Sequence, residues 1–173
     1  MSITRWNSDS NTVSFQNLPE AEVISLVNKA LSSNSHHTTT YKYAFFKSLL
    51  DNVFNVNLDT NLLSYDNIAT RFTEIYWNLV LCHHLRQEIK TSHHEYTNVE
   101  KELFDFCQKY NFDYSKKQII FPFESLRSDL QLEIIKKIKS QMMRNVVAAF
   151  CGDTDDQFYH FNKKDKSGEA ISR

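Results

Sequence analysis

The chain has 173 residues, 41% of them hydrophobic and 13% aromatic, with a formal net charge of −1. That length and apolar content predict one domain with a sizeable core and argue against disorder. Two glycines, Gly152 and Gly168, are too few for a phosphate-cradling loop, which argues against nucleotide hydrolases and Rossmann dehydrogenases of the usual kind.

Residues 1–17 read as an irregular arm. Pro19 opens a first helix, PEAEVISLVNKALSS, with acids in its first turn and Lys29 near its end, an order that suits the helix dipole. Val23, Ile24, Val27 and Leu31 share one of its faces. The polar break NSHHTTT leads to a second helix, YKYAFFKSLLDNVFN, with an apolar stripe at Tyr41, Phe45, Leu49 and Val53 and with Phe46 and Leu50 alongside. After the connector NLDTNLLS, Ser64 or Asp66 caps a third helix that runs through HHLRQ and buries Ile68, Phe72, Ile75, Tyr76, Leu79 and Val80. A fourth helix, EYTNVEKELFDFCQKY, carries Val99, Leu103, Phe106 and Cys107 on one face.

Gln118–Phe123, QIIFPF, reads as a short edge strand or extended link, because Pro122 cannot donate to a ladder. The fifth helix, SLRSDLQLEIIKKIKSQMM, lines up Leu126, Leu130, Ile134, Ile138 and Met142 and turns Lys136 and Lys139 away from them. RNVVAAFCG and QFYHFNK flank the turn-forming DTDD and predict a β-hairpin. The expected fold is therefore mainly α: about five helices in an orthogonal bundle, a short edge strand and a small C-terminal β-hairpin. Residues 18–164 form the single helical domain, and 165–173 read as a polar tail that resembles a cut more than a natural domain ending.

The three cysteines, Cys82, Cys107 and Cys151, are odd in number and lack a C-x-x-C spacing, which leaves cysteine zinc sites and a disulfide framework without support. Met1–Asn11 holds no apolar core of a signal peptide, and no apolar run approaches the ~18 residues of a membrane span. A cytoplasmic protein that does not engage a membrane is the expectation.

Candidate chemistry is sparse. Three adjacent histidine pairs, His36–His37, His83–His84 and His93–His94, invite a metal reading, but neighbours on a helix point about 100° apart and do not chelate together. Histidines near helix ends are the plainer account. Asp153, Thr154, Asp155 and Asp156 read as a turn, since a calcium loop would need further oxygen ligands at fixed spacing. Tyr159, His160 and Asn162 make a poor match to a histidine–asparagine nuclease motif, and strand alternation accounts for them. No nucleophile elbow or Cys–His signature is present, so no catalytic residue, metal ligand or cofactor is assigned. Charge is uneven, however. Residues 61–108 hold four basic and seven acidic side chains, and residues 109–147 hold eight basic and four acidic ones. Lys116, Lys117, Lys136, Lys137, Lys139 and Arg144 are the candidate phosphate contacts, with Tyr110 and Tyr114 as stacking partners. The alternative is the solvated outer face of an amphipathic helix.

Two stretches carry a resemblance. TTTYKYAFFKSLLDNVF followed by LSYDNIATRFTEIYWNLVL, through Tyr41, Lys42, Phe45, Phe46 and Tyr76–Trp77, resembles the N-terminal region of bacterial HNH endonuclease proteins. RNVVAAFCGDTDDQFYHFNKK resembles the hairpin that precedes the nuclease part of such proteins. The HNH motif itself is absent from this chain, so no nuclease residue is carried over. The resemblance implies a non-catalytic DNA-engaging or specificity module, with double-stranded DNA as partner. A protein-interaction or dimerisation module, binding itself or a nuclease subunit, stands as the alternative, and an enzyme site built from the histidine pairs as a third. Tyr41 and Trp77 are expected to be structural.

Overall fold

The computed structural model describes residues 3–7, 14–31, 40–57, 62–85, 96–114, 121–154, 159–161 and 170–172. The expected helices form where the apolar repeat is closest to 3.6. They are α1 (Glu20–Leu31), α2 (Tyr41–Asp51), α3 (Tyr65–Tyr76), α4 (Asn98–Lys109) and α5 (Ser128–Asn145). The fold is mainly α. Central α3 packs against α2 on one side and α5 on the other, and α4 packs against α5. The core follows from that arrangement: Phe45 of α2, Ile68, Phe72 and Tyr76 of α3, Leu103 and Phe106 of α4, and Ile134, Ile138 and Met142 of α5 are all fully buried. Helix α1 differs in part from its expected face, since Leu26 is buried and Ile24 is exposed.

Local chemistry sets the helix ends. Ser64 caps α3, its side chain accepting from the Asp66 amide at 3.1 Å. Thr97 and Glu100 form a reciprocal capping box on α4: Thr97 Oγ1 accepts from the Glu100 amide at 3.3 Å, and the Glu100 carboxylate accepts from the Thr97 amide at 2.8 Å. The third helix does not stay α to its end. Trp77–Cys82 widens into a π turn, which buries Tyr76, Trp77, Val80 and Leu81 together. It closes on His84 at φ 53°, a left-handed cap, with the Leu85 amide donating to the Leu79 carbonyl at 2.8 Å.

Four expectations about the flanks change. Within residues 1–17, expected as an irregular arm, the described residues form strands: β1 (Ile3–Asn7) pairs antiparallel with β2 (Ser14–Leu18), with Trp6 opposite Phe15 in register. In the QIIFPF segment, residues 118–120 lie outside the described residues, and Phe123–Ser125 is a 3-10 turn where a strand end was expected. The first arm of the predicted C-terminal hairpin is helix α6 (Val147–Asp153). Its buried residues, Val147, Phe150 and Cys151, stand at i, i+3 and i+4, so a helical face outweighs the β-branched pair Val146–Val147 that suggested a strand. The polar tail supplies the middle of a sheet: β5 (Ala170–Ser172) lies between β3 (Leu62–Ser64) and β4 (His160–Phe161), antiparallel to both. Leu63, Ile171 and Phe161 fall in register across the three strands, so each strand's apolar residue aligns with the next.

Gly152 lies within α6, is exposed, and would meet nothing within 4 Å if it carried a Cβ. Gly152→Ala should therefore raise unfolding free energy by about 0.5–1 kcal/mol, because Ala restricts the unfolded chain and suits the helix. Urea unfolding reads it, and a destabilised variant would contradict the helical assignment of this segment.

Candidate functional site

The described basic candidates do not share one surface. Lys116 and Lys117 lie outside the described residues. On α5, Lys137 and Lys139 are two residues apart, so at 100° per residue they diverge by about 200°. Each meets a carboxylate on a neighbouring helix: Lys137 Nζ lies 3.8 Å from Glu102 of α4, and Lys139 Nζ lies 2.8 Å from Asp66 of α3. They tie the flanks of α5 to its neighbours. Lys136 and Arg144 stay exposed, with no ion-pair partner among the described residues. Eight residues apart, they are separated by about 80° around the helix and about 12 Å along it. The stacking candidates are likewise drawn into the fold: Tyr110 donates to Glu133 at 2.6 Å, and the Tyr114 ring stacks on Phe104 at 5.0 Å.

A different surface is built on α2. Its inner face carries Phe45 and Ala44 into the core, while Tyr43 and Leu50 are half-exposed outward, with Lys47 between them at helical spacing. Beyond Asp51 the chain tightens into a 3-10 turn, Val53–Asn55. Buried Asn52 pins that turn, because its side-chain amide donates to the Ser48 carbonyl at 2.9 Å and its Oδ1 accepts from Asn55 Nδ2 at 2.8 Å. The turn projects Phe54, which is 96% exposed. A polar recess of about 600 Å³ lies beside it, lined by Asp51, Asn52, Asn55, Asn67, Arg71 and Glu74 among others.

The charges of that recess are satisfied internally. Arg71 Nε bonds Asp51 at 2.6 Å and its Nη1 meets Glu74, while Lys47 also reaches Asp51, at 3.1 Å. The Arg71 bond, with help from Lys47, holds the Asp51 carboxyl below its ordinary range, and Glu74 and Asp51 together raise Arg71. An arginine held by two carboxylates is not free for an external anion. The network fastens α2 to α3 and steadies the base of the Phe54 turn.

Lys42 is a structural residue. Its side chain is 7% exposed and its Nζ lies 2.8 Å from Asp153 Oδ2, so a lysine on the inner face of α2 meets the last residue of α6. Asp153, expected in a turn, thus ends a helix, and Thr154 is buried with its hydroxyl donating to the Phe150 and Cys151 carbonyls. Asp155 and Asp156 lie outside the described residues. Trp77 is fully buried, and Tyr41 packs edge-on against Tyr76 at 5.8 Å, both in structural positions. Tyr159 is buried and donates to the Val147 carbonyl at 2.5 Å.

Among the described residues no group of three His, Cys, Asp or Glu side chains is placed to hold a metal ion. His83 and His84 sit at the end of the π turn, while His36, His37, His93 and His94 lie outside the described residues. Burial pushes the Cys107 thiol up to about 12, so at neutral pH it is protonated and a poor nucleophile. No described helix is long and apolar enough to cross a membrane. No protein-family model, curated protein or solved structure matches this chain.

Proposed function

We propose that this chain is a non-catalytic interaction module that docks on a protein partner through the outward row of α2 and Phe54. The observation that carries this reading is Phe54, 96% exposed on a turn pinned by a buried asparagine. A single exposed apolar side chain is ordinary. A large ring projected outward just past a helix whose Tyr43 and Leu50 are also exposed is the form of an interface anchor, since the pinned turn beneath it lowers the backbone entropy lost on docking. The adjoining carboxamides of Asn55 and Asn67 offer donors and acceptors for a polar rim.

A second reading is duplex DNA engagement, as the N-terminal part of a protein resembling HNH endonucleases. Exposed Lys136 and Arg144 on the outward side of α5 favour it, and two such contacts would give a modest salt dependence.

One experiment separates the two. A photo-crosslinking phenylalanine analogue is placed in living cells at position 54, at position 136 or at the exposed control position 132. Discrete protein adducts from position 54 and none from 132 are the expected result. Adducts to DNA from position 136, with position 54 silent, would overturn the protein-docking reading in favour of the second. Silence at both 54 and 136 would sink both.

A further inference from the structure

Where α4 ends and α5 begins, the chain builds an aromatic slot unrelated to the α2 surface. Its volume is about 290 Å³, and it is lined by Tyr110, Phe112, Phe121, Leu126, Arg127 and Leu130 among others. That is close to the lower end of small-molecule pockets, about 300 Å³, and large enough for one planar ring system. Leu126 and Leu130 are buried and supply an apolar floor. The rings of Tyr110 and Phe112 lie 6.1 Å apart at 30°, and Phe121 stands edge-on to Phe112 at 5.3 Å and 86°. The slot therefore offers both ring faces and ring edges to a guest.

Its walls are fixed in advance. Tyr110 is held by its bond to Glu133, at 2.6 Å, and Lys109 sits over its ring at 4.8 Å. The Phe121 carbonyl accepts from Trp77 Nε1 at 3.0 Å and its ring lies 6.2 Å from the Trp77 ring, yet the residue remains 39% exposed. A guest would meet these rings without first ordering them.

Arg127 decides which guest. Three rings around a small cavity are also the usual host for a quaternary ammonium, but a guanidinium in the wall repels a cation. The Arg127 side chain is 74% exposed, and its partner Asp129, at 3.0 Å, is 67% exposed. An ion pair so open to water is worth little, so the guanidinium can exchange it for a better anion, and its planar fork matches phosphate. Glu133, by contrast, is occupied by Lys109 and Tyr110. A planar ring joined to an anion is what the wall and the rim select together.

We propose that this slot binds a nucleotide, the base against Phe121, Phe112 and Tyr110 and the phosphate on Arg127. The same chemistry is presented by a free nucleotide and by one unit of a single strand. The probes are adenosine, adenosine 5′-monophosphate and a single-stranded oligo(dA), titrated into the full chain and followed by amide chemical shifts. Phe121→Leu keeps apolar bulk but removes the π face. Arg127→Gln keeps length and polarity but removes the charge. Both positions are exposed, and circular dichroism confirms that the variants fold.

Phe121→Leu should weaken all three probes by about tenfold, the scale of one base–aromatic stack. Arg127→Gln should weaken the two phosphate-bearing probes and leave adenosine unchanged. Tight binding of the monophosphate itself assigns a free nucleotide, and binding of the oligonucleotide alone assigns a single strand. The proposal is overturned if no probe shifts the slot residues, if Phe121→Leu binds as well as the parent, or if Arg127→Gln weakens adenosine as much as its phosphate.

Discussion

Trp77→Ala is expected to lower the unfolding free energy by about 4 kcal/mol, the scale for emptying a buried large aromatic site. Trp77 is fully buried, with the rings of Phe123, Phe106 and Phe121 at 5.9, 6.0 and 6.2 Å. Its loss leaves a void among these rings and also removes the donor to the Phe121 carbonyl. For a chain of this length about 4 kcal/mol corresponds to roughly 8–16 °C in Tm. Trp77→Phe refills most of the volume and forfeits mainly the hydrogen bond, so about 1–2 kcal/mol is expected. Denaturant unfolding of both variants checks the order. A loss below about 1 kcal/mol for the alanine variant would show that this cluster does not hold α3, α4 and the 121–125 segment together.

Breaking the Lys42–Asp153 pair is expected to cost about 3 kcal/mol, the lower end for stranding one partner of a buried ion pair. The lower end applies because Asp153 is 20% exposed and keeps some access to water, whereas Lys42 is 7% exposed. Lys42→Met and Asp153→Ala should each destabilise. Lys42→Met combined with Asp153→Ala should recover most of the loss, because removing both charges leaves neither stranded. Thermal unfolding of the singles and the double closes the cycle, and additive losses would mean that the two charges do not depend on one another.

Much of this fold was legible from periodicity. Helices α2 to α5 carry apolar residues at i, i+3 and i+4, and Ser64 announced its cap by its place ahead of the Tyr65 turn. The capping box at Thr97–Glu100 is equally legible, as T-x-x-E before an apolar run. Val146–Phe150 was harder. A short apolar run with adjacent valines suits strand or helix, and the choice falls to the partners that Phe150 finds in Phe45 and Phe46, at 5.6 and 5.8 Å. The described members of the basic set are divided for a related reason. Sequence places Lys136, Lys137 and Lys139 together, but Asp66, which claims Lys139, lies 73 residues away. No local pattern announces such a partner. Nor does the spacing of Tyr43, Leu50 and Phe54 say which face of α2 would be left uncovered, since Phe45 and Phe46 offered a second apolar side.

The sheet has a consequence for synthesis. Its central strand, Ala170–Ser172, pairs with Leu62–Ser64, more than a hundred residues earlier. Helices rest on local bonds and can form as each segment leaves the ribosome, but β3 must wait for residues 170–172 to emerge. At about 5–20 residues per second that delay lasts on the order of 5–20 s. Throughout it the β3 edge is unpaired beside a nearly assembled helical core. An unpaired edge of this kind is where a chaperone, or a neighbouring nascent chain, would gain access.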